Sequence, residues 1–156
     1  MRGGPLCADA AETLRVRGAL AAAMTHTGDV AGARVLYEDL LPQGIAAEGE
    51  DSTGVLVLQT NLAALLADKL NDWAAARPLY EAVVVGKTAK YGAEYDSTLR
   101  SRTRLAIALE KLGEVAAAQR EYDALLAGFT AARGARHPGT VNAQHGLARL
   151  LVQQLV

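Results

Sequence analysis

The chain has 156 residues and carries 16 Lys and Arg against 17 Asp and Glu, a formal net charge of −1. That length suits one compact domain or a short repeat array, and the balanced charge removes any global case for binding nucleic acid or an acidic membrane surface. Apolar residues make up 51% of the chain, much of it alanine, with only 4% aromatic, so the expected fold class is all-α: Ala is the best helix former and lets helix axes approach closely.

Helical periodicity reads as seven segments near 9–26, 29–47, 53–69, 72–90, 97–111, 114–133 and 139–155. They repeat in register. Tyr37, Tyr80 and Tyr122 are spaced by 43 and 42, and Leu20-Ala21, Leu62-Ala63, Leu105-Ala106 and Leu147-Ala148 by 42, 43 and 42. A period of this size marks a repeat architecture. Each column has a physical task. Gly28, Asn71 and Gly113 tolerate positive φ and close a first helix into a tight turn. Asp29, Asp72 and Glu114 then place negative charge at the start of the second helix. Ala33, Ala76 and Ala118 leave room for a neighbouring helix, and the tyrosines plug the same face four residues on. Gly49, Gly92 and Gly134 end each second helix.

The linkers EDST, EYDST and RHPGT offer Asp, Ser or Thr as N-caps, with Pro138 expected just before its helix begins. Pro78 is expected to kink or shorten the fourth helix. The second unit holds one extra residue between Leu62-Ala63 and Asn71, which implies a bulge or shifted turn. Trp73 is expected to pack between adjacent hairpins.

Hairpins with Leu-Ala on the first helix, Gly at the turn and Ala and Tyr on the second resemble tetratricopeptide repeats. The 42-residue spacing, the linker RHPGT and the run TNLAALL are similar to the kinesin light chain variety. The resemblance implies a right-handed α-α superhelix of three helical hairpins plus one terminal helix, a single array divided as 8–48, 49–91, 92–134 and 135–156. It also implies that first helices line a concave groove. Positions carried over by their offset from Leu-Ala are Arg15, Thr60, Asn61, Arg100, Thr103, Arg104, Lys111, Asn142, His145 and Arg149, a net basic peptide-binding set. Acidic residues such as Glu38, Asp39, Glu81, Glu121 and Asp123 fall on second helices. Arg102 points away from the Arg100 and Arg104 face.

Guanidinium groups pair with carboxylates through two hydrogen bonds, so the expected partner is an acidic peptide, a free C-terminus or a partner domain. His26, His137 and His145 show no metal-ligand spacing, and no nucleotide-binding loop, nucleophile elbow or zinc-protease motif occurs. The expectation is a non-catalytic interaction scaffold with no cofactor and no metal. An alternative is a sensor or oligomerisation segment of a larger bacterial signalling regulator, such as a signalling ATPase, self-associating through the apolar final run LLVQQLV. The single Cys7 favours a reducing compartment. The opening MRGGPLCADA lacks the apolar core of a secretory signal, and no run is apolar enough for a membrane helix. The expected location is therefore cytoplasmic, with no membrane partner, and the Ala-, Gly- and Arg-rich composition suggests a bacterial source.

Overall fold

The computed structural model describes residues 5–155, with side chains from residue 11; the side chain of Cys7 lies outside the described residues. Seven α-helices follow in order: α1 (Pro5–Thr27), α2 (Val30–Glu48), α3 (Thr53–Ala64), α4 (Trp73–Tyr91), α5 (Asp96–Lys111), α6 (Val115–Arg133) and α7 (Pro138–Gln154). No strand occurs among the described residues, and no helix there is long and apolar enough to cross a membrane.

The chain forms two compact units, Met1–Leu79 and Tyr80–Val156, dividing within α4. In unit 1, α2 packs against both α1 and α3; in unit 2, α6 packs against both α5 and α7. The repeated columns account for this. Ala33 and Ala118 are fully buried, Tyr37 and Tyr122 are at most 2% exposed, and small-residue contacts of this kind bring helix axes close.

Gly28, Gly49, Gly92, Gly113 and Gly134 all adopt positive φ, between 76° and 96°, and Asn71 does so at 54°. The turns are therefore made where the columns put them. Asp29 accepts a hydrogen bond from the Gly32 amide at 3.0 Å, and Asp72 from the Ala75 amide at 3.0 Å. Glu114 occupies the same N-cap position but makes no side-chain cap bond. Its side chain places negative charge near the helix start.

The extra residue of the second repeat, in unit 1, is taken up by a π-helical turn, Leu65–Lys69, at the end of α3. Leu70 N donates to Leu65 O at 3.3 Å, a bond one residue wider than the α-helical one.

Several expectations need correction. Helix α4 starts at Trp73 and runs unbroken through Pro78, so this proline does not shorten it. Ser52 caps α3, accepting from Val55 N at 3.1 Å, but the cap of α5 is Tyr95, which makes no side-chain bond. Pro138 is the first residue of α7 rather than a linker residue, where its missing N–H leaves no helical bond unmade. The cap there is His137, whose Nδ1 accepts from Gly139 N at 3.1 Å. Trp73 is half-buried at the start of α4, and its indole donates to Asn71 Oδ1 at 2.8 Å, bracing the positive-φ turn.

Candidate functional site

Each unit holds a cleft between two first helices, floored by the second helix between them. In unit 2 the cleft measures about 500 Å³, and its lining includes Arg100, Thr103 and Arg104 from α5 and Asn142, His145 and Arg149 from α7. Tyr122, Leu125 and Phe129 of α6 form its floor. Arg100 and Arg104 share a helix face because four residues make just over one turn. Both are exposed.

Two acids that sequence reading did not place here change the electrostatics. Asp96, the first residue of α5, lies 3.7 Å from Arg100 and 3.8 Å from Arg133. Glu110, with a side chain only 12% exposed, accepts two bonds from Arg149 at 3.0 Å each. Arg149 also donates to the Tyr122 hydroxyl at 3.3 Å, and that hydroxyl donates to Glu110 at 2.8 Å. Arg149 is thus tied into a three-helix polar knot while still reaching the cleft. Its guanidinium, aided by the Tyr122 hydroxyl, holds the Glu110 carboxyl below the usual carboxylate range against the opposing effect of burial. Burial first, and then the bond to the Glu110 carboxylate, push the Tyr122 phenol up to about 12.

In unit 1 the cleft measures about 600 Å³ and has another character. Its walls include Leu14, Ala19, Ala22, Val55, Val57 and Leu58, and its charged lining residues are Glu12, Arg15 and Glu48. Arg15 bonds to Glu12 on its own helix at 3.0 Å. That pair accounts for the Glu12 carboxyl lying below its ordinary value. Arg15 and Asn61 line this cleft, whereas Thr60 does not; the Thr60 hydroxyl donates to Leu56 O at 2.6 Å. Lys111 is exposed at the end of α5 and lines neither cleft. A basic lining is therefore a property of unit 2, and unit 1 departs from the expectation.

The back-face acids are largely partnered. Asp39 meets Arg17 at 2.7 Å, Glu38 meets Arg34 at 2.8 Å, and Glu121 lies 3.7 Å from Arg102, which takes Arg102 out of the cleft as expected.

No family model matches the chain, and no curated protein matches it in sequence. Solved structures do. A Podosopora anserina protein described as a kinesin light chain with nearly identical TPR-like repeats superposes with a TM-score of 0.73 at 26% identity, over 90% of this chain and 66% of its own. A singly substituted form of that protein gives 0.77 at 25% identity, over 92% and 68%.

The chain has the fold of kinesin light chain-like tetratricopeptide repeat structures.

BtubC (BKLC) from P. vanneervenii shares the fold, with a TM-score of 0.74 at 19% identity over 89% of this chain and 55% of its own. The chain thus spans between 55% and 68% of the length of these kinesin light chain-like structures. Tetratricopeptide repeats in general serve as protein-interaction scaffolds, and their pattern here makes the two clefts comparable residue by residue. Unit 2 repeats unit 1 at an offset of 85, from Leu20 to Leu105 and from Leu62 to Leu147. At that offset Arg15 matches Arg100, Ala19 matches Arg104, Val57 matches Asn142 and Gly44 matches Phe129.

The tyrosine beneath each cleft follows the same correspondence. In unit 1 the Tyr37 phenol is raised by burial, with hydrogen bonds to the Asn61 and Thr25 side chains opposing. In unit 2 the matching positions hold Gly146 and Glu110. A Cβ at Gly146 would stand 2.4 Å from the Tyr122 ring, so glycine there makes room for the ring to reach Glu110 and Arg149. Lys111 was expected in the groove, but the residue one earlier, Glu110, is the one that meets the tyrosine, as Thr25 does in unit 1.

Proposed function

We propose that the chain is a non-catalytic protein-interaction scaffold, divided into repeats at 8–48, 49–91, 92–134 and 135–156, whose unit 2 cleft binds an acidic peptide segment or a free C-terminal carboxylate. The observation that carries this reading is the convergence of Arg100 and Arg104 from α5 with Asn142, His145 and Arg149 from α7 on one cleft of about 500 Å³. Arg104 and Arg100 supply planar donor forks for a carboxylate. Asn142 offers both a donor and an acceptor to a peptide backbone. Arg149, held by Glu110, is pre-oriented and loses little freedom when a ligand arrives.

The test is titration of a labelled Glu-rich peptide, with and without a C-terminal amide, against the protein and its Arg100→Glu/Arg104→Glu variant. Binding that weakens at least tenfold in the variant, with helicity and melting temperature unchanged, supports the reading. Equal binding by both proteins overturns it. The amide comparison separates recognition of side-chain carboxylates from capture of a chain end.

A second reading is favoured by Leu151, Val152 and Leu155, which are 55%, 61% and 86% exposed on and just after α7. Exposed apolar side chains this close together fit a segment that self-associates within a larger regulator. Light scattering over a range of concentrations decides it: a mass that stays monomeric sinks this alternative.

A further inference from the structure

The unit 1 cleft does not fit the acidic ligand of the proposed function, and its own chemistry is specific. Where unit 2 has Arg104 and Asn142, unit 1 has Ala19 and Val57, so the walls are apolar. Leu58 and Val55 are buried behind them, while Val57 stays 50% exposed. An open apolar surface of this kind gains from an occupant by losing water contact.

The mouth of the cleft is acidic. Helix α2 ends at Glu48, which lines the cleft, and the linker continues with Glu50 and Asp51. All three are exposed. At the matching positions unit 2 has Arg133, Ala135 and Arg136, so the same stretch, AAEGED against AARGAR, is written with its charges reversed. Arg15 is the cation of the unit 1 lining, and it is already bonded to Glu12. A cationic occupant is drawn to this mouth, and an anionic one is repelled.

We infer that the cleft between α1 and α3 is a second and independent docking site, for a protein segment that presents an apolar side chain flanked by Lys or Arg. The apolar residue sits against Ala19, Ala22 and Val57, and its basic neighbours face Glu48 and Glu50. Gly18, whose Cβ would meet Leu58 at 3.0 Å, lets α1 and α3 approach closely where they form the two walls. The site depends on no residue of the unit 2 cleft.

The experiment uses the full chain and two labelled synthetic peptides, one of Leu and Lys residues and the other with every Lys replaced by Glu, read by fluorescence anisotropy. The Leu/Lys peptide is expected to bind the unaltered protein and to weaken at least tenfold in Glu48→Arg/Glu50→Arg. Ala19→Phe, which fills the apolar wall from an exposed position, is expected to weaken it at least fivefold at high salt as well as low. Circular dichroism checks that each variant keeps its helices. Arg100→Glu/Arg104→Glu is expected to leave this binding intact or strengthen it, whatever it does to Glu-rich peptides. No binding by the unaltered protein overturns the inference, as does binding that both unit 1 variants retain. Loss in the charge variant alone also overturns it, because that would mean attraction by surface charge without occupancy of the cleft.

Discussion

The clefts of unit 1 and unit 2 are made from the same backbone plan 85 residues apart, yet one is apolar with an acidic mouth and the other is lined by arginines. The difference lies almost entirely in residues that the repeat does not need. Positions that build the stack, such as Ala33 and Ala118 or Tyr37 and Tyr122, are the same in both units and buried. Positions that face the cleft, such as Ala19 and Arg104 or Val57 and Asn142, are free to differ because packing asks nothing of them. A solenoid can thus vary its binding chemistry hairpin by hairpin while the scaffold stays constant.

The sharpest way to break that comparison is to add a side-chain atom where the units differ under the tyrosine. Gly146→Ala puts a methyl group into the Tyr122 ring, and is expected to destabilise unit 2 by about 2 kcal/mol through overpacking, read as a lowered denaturation midpoint. Ala at Asn61, the matching site, meets no such ring contact and is expected to cost about 1 kcal/mol, the scale of one lost hydrogen bond. Next comes the charge swap in the unit 2 cleft, where Arg100→Glu/Arg104→Glu is expected to reduce acidic-peptide affinity at least tenfold, or about 1.4 kcal/mol.

The Glu110–Arg149–Tyr122 knot has no ionic counterpart at Thr25 and Asn61, and this gives unit 2 a pH dependence of its own. The Glu110 carboxyl titrates lower in the folded chain than in the unfolded one. Its contribution is therefore present above the unfolded value, near 4.3, and is lost as pH falls through the lower folded value. Glu110→Gln is expected to reduce stability by about 1 kcal/mol at neutral pH and to remove that acid-side loss; an unchanged acid profile in melting experiments would count against the knot. Tyr122 behaves oppositely. Its phenol, raised to about 12, contributes stability that is fully present below the unfolded tyrosine value, near 10, and is lost as pH rises from there through the folded value.

The smallest contrast is at the caps. Asp29→Ala should cost unit 1 about 1 kcal/mol, whereas Glu114→Ala in unit 2 should change the midpoint by a few tenths at most, since Glu114 makes no cap bond.

Most of the architecture was legible in the sequence because repetition isolates what packing requires. Gly28, Asn71 and Gly113 mark turns that only a residue tolerant of positive φ can make, and the tyrosine and alanine columns mark buried faces. The candidate site was legible only in part. Arg100 and Arg104 could be placed by offset, but whether a charge is available depends on its neighbours across helices. Glu110 engages Arg149 through geometry that spacing along the chain does not contain, whereas the Asp96–Arg100 pair, four residues apart on α5, was present in the spacing. The contrast between the clefts was likewise hidden. Reading Arg15 in the same column as Arg100 suggested one uniform basic groove, while Glu12 at Arg15 and Glu48 at the mouth become visible as cleft residues only once α1, α2 and α3 are folded together.

The π-helical turn at Leu65–Lys69 has a consequence for how such a chain can change length. One inserted residue in an α-helix rotates everything after it by about 100°, which would have carried the next turn and its alanine and tyrosine off the buried face. Here Ala76 and Tyr80 remain 0% and 1% exposed. The widened turn absorbs the insertion within five residues, so the downstream phase is preserved. An added residue at this point is silent to the rest of the fold, and the end of a first helix becomes a place where the chain tolerates insertion without renegotiating its core.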